Sequence, residues 1–323
     1  MPRQSRLNRI SIRPEVSILS VLRHLNYKPW FALAEFADNA IQSFLSNRET
    51  LQTLHGSDTR LRVDITLETD PPGRITVRDN AAGIAERDYA RAFKPAEIPP
   101  NRSGLSEFGM GMKSAACWLA VQWSVRTSAL DEPVERTVCF DVMDIVENRI
   151  EHLDIRTRSV GRNDHYTELV LDGIHKVPQG RTIAKIKEHL ASIYRVFLRQ
   201  GTLALAFNGE QLQYSAPAIL TAPFYREPQG QNYVWRKEID FDFGDGLRAS
   251  GFAALRERAS VSSAGFSLFR RNRLIQGSGD EGYRPPAIFG QSNSYTYQRL
   301  FGELHLEGFE VSHTKDGFRW EEH

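Results

Sequence analysis

The chain has only two cysteines in 323 residues, Cys117 and Cys139. That is too few for a disulfide framework or a thiolate zinc site, and it leads us to expect a reducing, cytoplasmic setting. No run of about 18 apolar residues is present to cross a membrane. The basic N-terminus, MPRQSRLNRISIRPE, is followed by no apolar core, which excludes a secretory signal of the usual kind. Repeats and low-complexity tracts are absent. Neither sign of charge is in excess: 41 Lys and Arg against 40 Asp and Glu leave +1, which excludes a protein held on nucleic acid by its whole surface but leaves room for a local basic patch. What is present is 41% hydrophobic and 25% charged residues, the composition of a soluble globular protein long enough for two domains. The chain stops abruptly at Trp320-Glu-Glu-His, which fits a piece of something longer.

Helical periodicity opens the sequence at 16–22 and 30–45, and strand-like alternation follows at 61–67 and 75–77 across an Asp-Pro-Pro-Gly turn. Residues 85–107 have little periodicity and several Pro and Gly, so a long flexible loop is expected, followed by a helix over 113–120. Strands are expected at 123–129, 136–142, 150–157 and 167–171. Consecutive strands after a helical half point to an α+β fold, a mixed or antiparallel sheet with helices on one face. A second unit is expected from about 177, with a helix over 183–198, a strand over 203–207 closed by Asn208-Gly209, strands over 234–243 and 247–255 joined by Gly244-Asp-Gly246, and further strands near 266–269 and 300–306. The division drawn is an arm over 1–15, a first domain over 16–176 and a second over 177–323.

Three segments carry chemistry. In Phe31-Ala-Leu-Ala-Glu35-Phe-Ala-Asp38-Asn39-Ala-Ile-Gln42-Ser-Phe44-Leu45, apolar residues cover most of the helix, yet Glu35, Asp38, Asn39 and Gln42 fall on one stripe. Such a stripe either faces water or lines a polar cavity. In a cavity, a Glu one turn before an Asn supplies a general base and a neutral oxygen for Mg²⁺. Second, Asp79-Asn80-Ala81-Ala82-Gly83-Ile84 puts an acceptor just past a strand end, before small residues that let a planar ligand approach the backbone; the plain alternative is an Asx turn. Third, Gly109-Met110-Gly111-Met112-Lys113-Ser114 runs glycines into a helix start, where free N–H groups and the helix dipole suit phosphate and Lys113 adds a charge. Each segment is modest alone; their order and spacing are the strong signal.

Together these segments, over about residues 15–175, resemble the nucleotide-binding motifs of the gyrase B/heat-shock-chaperone/histidine-kinase/MutL (GHKL) ATPases. The resemblance implies a Bergerat-type α/β sandwich that uses ATP and Mg²⁺. It implies that Glu35 polarises the attacking water, that Asn39 binds Mg²⁺, and that Asp79 reads the adenine amino group with Gly83 beneath the base and Thr167 beside it. The run Gly109, Met110, Gly111, Met112 and Lys113 would wrap the phosphates, behind a mobile lid over about 85–107. Three positions depart from the family pattern: Ala81 and Ser106 stand where glycines are common, and Gln42 replaces a frequent Asp of the outer Mg²⁺ shell.

The second half resembles the smaller α/β transducer domain that accompanies this ATPase in MutL, gyrase B and the MORC proteins. It is most like MORC, bacterial members included, through Gly265-Phe-Ser-Leu-Phe-Arg-Arg-Asn-Arg-Leu-Ile275 and Phe309-Glu-Val-Ser-His-Thr-Lys315-Asp-Gly-Phe. It implies that Lys315 reaches the terminal phosphate, and it argues against a histidine kinase. It also implies an ATP-dependent homodimer in which residues 1–15 cross to the partner, and a clamp acting on DNA. Arg270, Arg271 and Arg273, and Arg195 with Arg199, are local basic clusters that are either ordinary solvated surface or a DNA surface. A chaperone-like ATPase acting on proteins and a nucleotide-gated adaptor with negligible hydrolysis are the alternatives.

Overall fold

A computed structural model describes residues 16–94, 104–105 and 109–322. The arm over 1–15, Ser106, and residues 95–103 and 107 of the expected lid therefore lie outside the described residues. The helices are α1 (Ile18–Leu22), α2 (Pro29–Ser46), α3 (Arg48–His55), α4 (Tyr89–Phe93), α5 (Gly111–Leu119), α6 (Val142–Glu147), α7 (Arg181–Ile193), α8 (Arg195–Arg199), α9 (Pro286–Phe289) and α10 (Tyr295–Arg299). The first eight strands are β1 (Leu61–Glu68), β2 (Arg74–Asp79), β3 (Ala120–Ser128), β4 (Val134–Asp141), β5 (Ile155–Ser159), β6 (Tyr166–Ile174), β7 (Leu203–Phe207) and β8 (Glu210–Gln211). They form one sheet in the order β5-β4-β3-β6-β2-β1-β7-β8, antiparallel except where β7 runs parallel to β1.

The sheet is one-sided. Along β1, Leu61, Val63, Ile65 and Leu67 are buried while the residues between them face outward, the period-2 pattern of a sheet with one covered face. That covered face receives α2, α5 and α7, and the opposite face carries ion pairs such as Arg74–Asp172 and Arg78–Glu168. The result is the mixed α/β sandwich expected of a GHKL ATPase domain. Pro29 opens α2 at its first turn, where a missing N–H costs nothing.

The sheet and its core run past the 176/177 division. Ile186, Leu190, Leu203, Leu205, Phe207 and Leu212 belong to the first core, so α7, α8 and the β7–β8 hairpin pack with it. That hairpin has the Asn208-Gly209 turn expected of it, both residues at positive φ, and Asn208 Oδ1 accepts from the Leu67 N–H at 2.7 Å. The expected helix over 183–198 is broken at Tyr194 into α7 and α8. The expected loop over 85–107 contains α4, and the expected strand over 150–157 begins only at Ile155.

Beyond Leu212 come β9 (Thr221–Pro223), β10 (Asn232–Val234), β11 (Arg236–Gly244), β12 (Leu247–Leu255), β13 (Gly265–Arg270), β14 (Arg273–Gln276) and β15 (Leu300–Glu307). A second sheet has the order β11-β12-β15-β13-β14, with β13 parallel to β15, over its own core of Phe266, Leu268, Ile275, Phe289, Leu306 and Phe309. Val196 on α8 meets Phe269 and Leu274 of this sheet in a small third cluster that joins the two halves.

Candidate functional site

A cavity of about 430 Å³ lies between α2, the ends of β2 and β6, α4, and the start of α5. That volume is ordinary for a small-molecule site. Glu35, Asn39, Asp79, Gly83, Gly109, Gly111, Met112, Lys113, Thr167 and Lys315 all line it. Met110 does not. It precedes α5, where its carbonyl accepts from the Ser114 N–H and hydroxyl, and its side chain packs on the core.

The polar stripe of α2 divides. Glu35, Asn39 and Gln42 face the cavity, whereas Asp38 has no exposure and faces the second half of the chain. Asp38 accepts from Tyr194 Oη at 2.8 Å, Arg273 Nε at 2.9 Å and Lys315 Nζ at 2.7 Å. Lys315 Nζ also reaches Glu35 Oε2 at 3.0 Å. Two carboxylates and two cations thus form one buried cluster. Unpaired, any of these charges would be prohibitively costly in so dry a place; paired, each supports the others.

The cluster sets protonation. Burial drives the Glu35 carboxyl above its ordinary range, opposed first by Lys315. Burial would do the same to Asp38, but Arg273 and then Lys315 outweigh it and hold that carboxyl low. Lys315 keeps its proton more firmly than an ordinary lysine despite desolvation, because Asp38 and Glu35 face it. Glu35 is left with one oxygen on Lys315 and the other, Oε1, buried without a hydrogen-bond partner. An acceptor in that position is suited to a water molecule.

At the other end, Asp79 closes β2 directly opposite Thr167 on β6. Its Oδ1 accepts from the Ala81 N–H at 2.9 Å, the Asx turn of the plain alternative, and the same carboxyl borders the cavity. Desolvation pushes its pKa up to about 7, against the bonds from the Ala81 and Thr167 N–H groups. Gly83 has φ +72, and a Cβ there would fall 1.9 Å from the Ser128 carbonyl oxygen, so glycine is required by β3 as well as by the cavity. Thr127 on β3 fixes this turn by accepting from the Ile84 N–H at 2.9 Å. That role was not visible in the sequence.

Gly111 begins α5 hard against Glu35: a Cβ there would lie 1.9 Å from Oε2. Lys113 is buried and donates to the Arg91 and Ala92 carbonyls at 3.1 and 3.0 Å, tying α5 to the end of α4. Gln42 accepts from the Leu105 N–H at 2.8 Å, and Arg271 donates to the Gly104 carbonyl, so this short described piece of the expected lid touches both halves of the chain. Arg87, Asp88, Arg91 and His313 also line the cavity. The charge-rich run over 86–91 is a sequence signal that could have pointed to the first three.

The donor set fits Mg²⁺ held jointly with phosphate. Asn39 offers a neutral oxygen at the cavity wall, and Mg²⁺ ordinarily takes one or two protein oxygens and completes its shell from phosphates and water. The basic clusters proposed for DNA are largely absorbed into the fold. Arg273 is fully buried on Asp38, and Arg195 and Arg199 share Glu303 at 3.1 and 2.6 Å. Among the described residues, no helix is long and apolar enough to cross a membrane.

Residues 27–167 match the protein family described as histidine kinase-, DNA gyrase B-, and HSP90-like ATPase. The match begins just before α2 and ends on Thr167, so it spans Glu35, Asn39, Asp79 and the Gly109–Lys113 turn but not Lys315. No curated protein matches the chain. Residues 27–167 are therefore similar to a GHKL-type ATPase domain.

Proposed function

We propose that this GHKL-type domain binds ATP in the cavity beside α2 and hydrolyses it, with Glu35 as the residue that orients the attacking water. One observation carries the reading: the free Oε1 of Glu35 borders the same cavity as Asn39, Asp79 and the Gly109–Lys113 turn, while its Oε2 is held by Lys315.

The adenine amino group donates to Asp79, with Gly83 beneath the base and Thr167 alongside. The N–H groups that open α5 face the phosphates. Asn39 would hold Mg²⁺ together with the phosphate oxygens, where the ion would neutralise their charge. Glu35 holds water in line with the terminal phosphorus and draws off its proton, and Lys315 stabilises the terminal phosphate. Positioning and charge do the work here, with no covalent step on the protein. Because Lys315 follows the second sheet, its contact with a triphosphate couples the two halves of the chain, and ADP offers no such contact.

In the same reading, the triphosphate state drives homodimerisation through residues 1–15, and the closed dimer acts on DNA. The MORC resemblance supports DNA as the client, since the buried arginines do not. A protein client is the alternative.

Glu35→Gln tests the whole reading. Turnover should fall about 100-fold or more with ATP affinity nearly unchanged, and the variant with ATP should sediment and scatter light as a dimer, whereas with ADP it should not. Turnover within a few-fold of wild type overturns the Glu35 assignment. DNA stimulation of wild-type turnover that fades with salt separates a DNA client from a protein one.

A further inference from the structure

Away from the cavity, at the opening of α2, His189 on α7 is wholly buried and tightly held. The Trp30 indole stacks on its ring at 3.8 Å between centroids and 5° between planes. Gly279 packs so closely that a Cβ there would fall 2.8 Å from its Cε1. Its Nδ1 lies 2.7 Å from the Ser278 hydroxyl. Its Nε2 has no hydrogen-bond partner, although Asp280 Oδ1 is 3.4 Å away. One ligand atom each from His189, Asp280 and Glu281 lie within 4.8 Å of one another.

We propose that His189, Asp280 and Glu281 bind a divalent transition-metal ion that staples α7 to the segment following β14. Three features favour a ligand over an idle histidine. In the tautomer whose Nδ1–H donates to Ser278, the imidazole presents its lone pair on Nε2, the arrangement that bound metals require of a histidine. That nitrogen is buried and unmet, a standing cost that coordination removes. The ring is also fixed in direction by Trp30 and Gly279, so it is oriented before any ion arrives.

Two lysines already sit on the carboxylates: Lys185 on Asp280 Oδ2 at 2.9 Å and Lys28 on Glu281 Oε1 at 2.5 Å. Both lysine side chains are about half exposed, at 51% and 50%, and pairs of that kind contribute little. Asp280 can ligate through Oδ1 without losing Lys185, and Lys28 competes with the ion for the Glu281 carboxylate. Both carboxylates are exposed and free to turn inward onto the fixed imidazole. One imidazole and two carboxylates, with no thiolate, suit ions such as zinc, cobalt and manganese, and three protein ligands leave room for water.

The test uses zinc chloride, then cobalt chloride, on the full chain, free of nucleotide and polyhistidine tag and stripped by chelator. Calorimetry should show one zinc per chain. Cobalt should give the ligand-field absorption of a nitrogen–oxygen site and quench Trp30 fluorescence. Asp280→Asn with Glu281→Gln, both on the surface, should weaken zinc by a factor on the order of ten or more, and Lys28→Ala should tighten it. Zinc that fails to bind, or that binds the double variant as well as wild type, overturns the proposal. No nucleotide is involved, so failure here leaves the ATPase reading standing.

Discussion

Asp79 shows how one side chain can carry two opposite pH dependences. Burial raises its carboxyl from 3.8 to about 7, so the folded protein keeps a proton that the unfolded chain releases. The sign follows: this group's contribution to stability is complete below about pH 4 and declines as pH climbs toward 7. Binding runs the other way, because an amino-group donor is best met by the ionised carboxylate. Adenine-nucleotide affinity should therefore rise between pH 6 and 8, centred near the pKa of about 7. Asp79→Asn should flatten that profile and weaken binding by about 1.5–3 kcal/mol. Fluorescence titration with a labelled ATP analogue across this range checks both, and an unchanged slope in the variant would remove Asp79 from the adenine site.

At the scale of elements, the cavity exists because α5 starts where a side chain cannot fit. Gly111 lies under Glu35, whose carboxyl is pinned by Lys315 and cannot swing aside. Gly111→Ala should cost about 1–3 kcal/mol of stability, as overpacking does, and should lower kcat more than ATP affinity, read by denaturant melts and steady-state kinetics. The Gly-Met-Gly-Met-Lys run was legible in the sequence as a helix start, but the clash that requires Gly111 was not, because it comes from a helix 76 positions earlier. The same holds for Asp38. Helical spacing puts it in the stripe with Glu35, Asn39 and Gln42, yet at the stripe's edge the choice between cavity and neighbouring domain belongs to Arg273, 235 residues away. Period and turn chemistry are local, so α2, β1, β2 and the Asn208-Gly209 hairpin could be read directly. The parallel pairing of β7 with β1 is non-local, and the division at 176/177 missed it.

Across the whole molecule, the second half does more than lean on the first; it sets the proton affinity of Glu35, the residue proposed as the base. Lys315, beyond β15, is the largest force opposing the burial that raises Glu35. Removing it with Lys315→Met takes away that opposition while Asp38, still held by Arg273, stays ionised and repels a second negative charge. Losing that opposition, with the Asp38 charge still in place, pushes the Glu35 carboxyl higher. A general base must be ionised to act, so the acid limb of the kcat–pH profile should move to higher pH in the variant, on top of any loss from a missing phosphate contact. Lys315→Arg, which keeps a cation there, should restore much of the limb's position even where kcat stays low. A lysine that merely touched the terminal phosphate would lower kcat at every pH and leave the limb where it was. The profile therefore separates a lysine that senses the nucleotide from one that also sets the proton affinity of the base, through a contact that exists only while the two halves are docked.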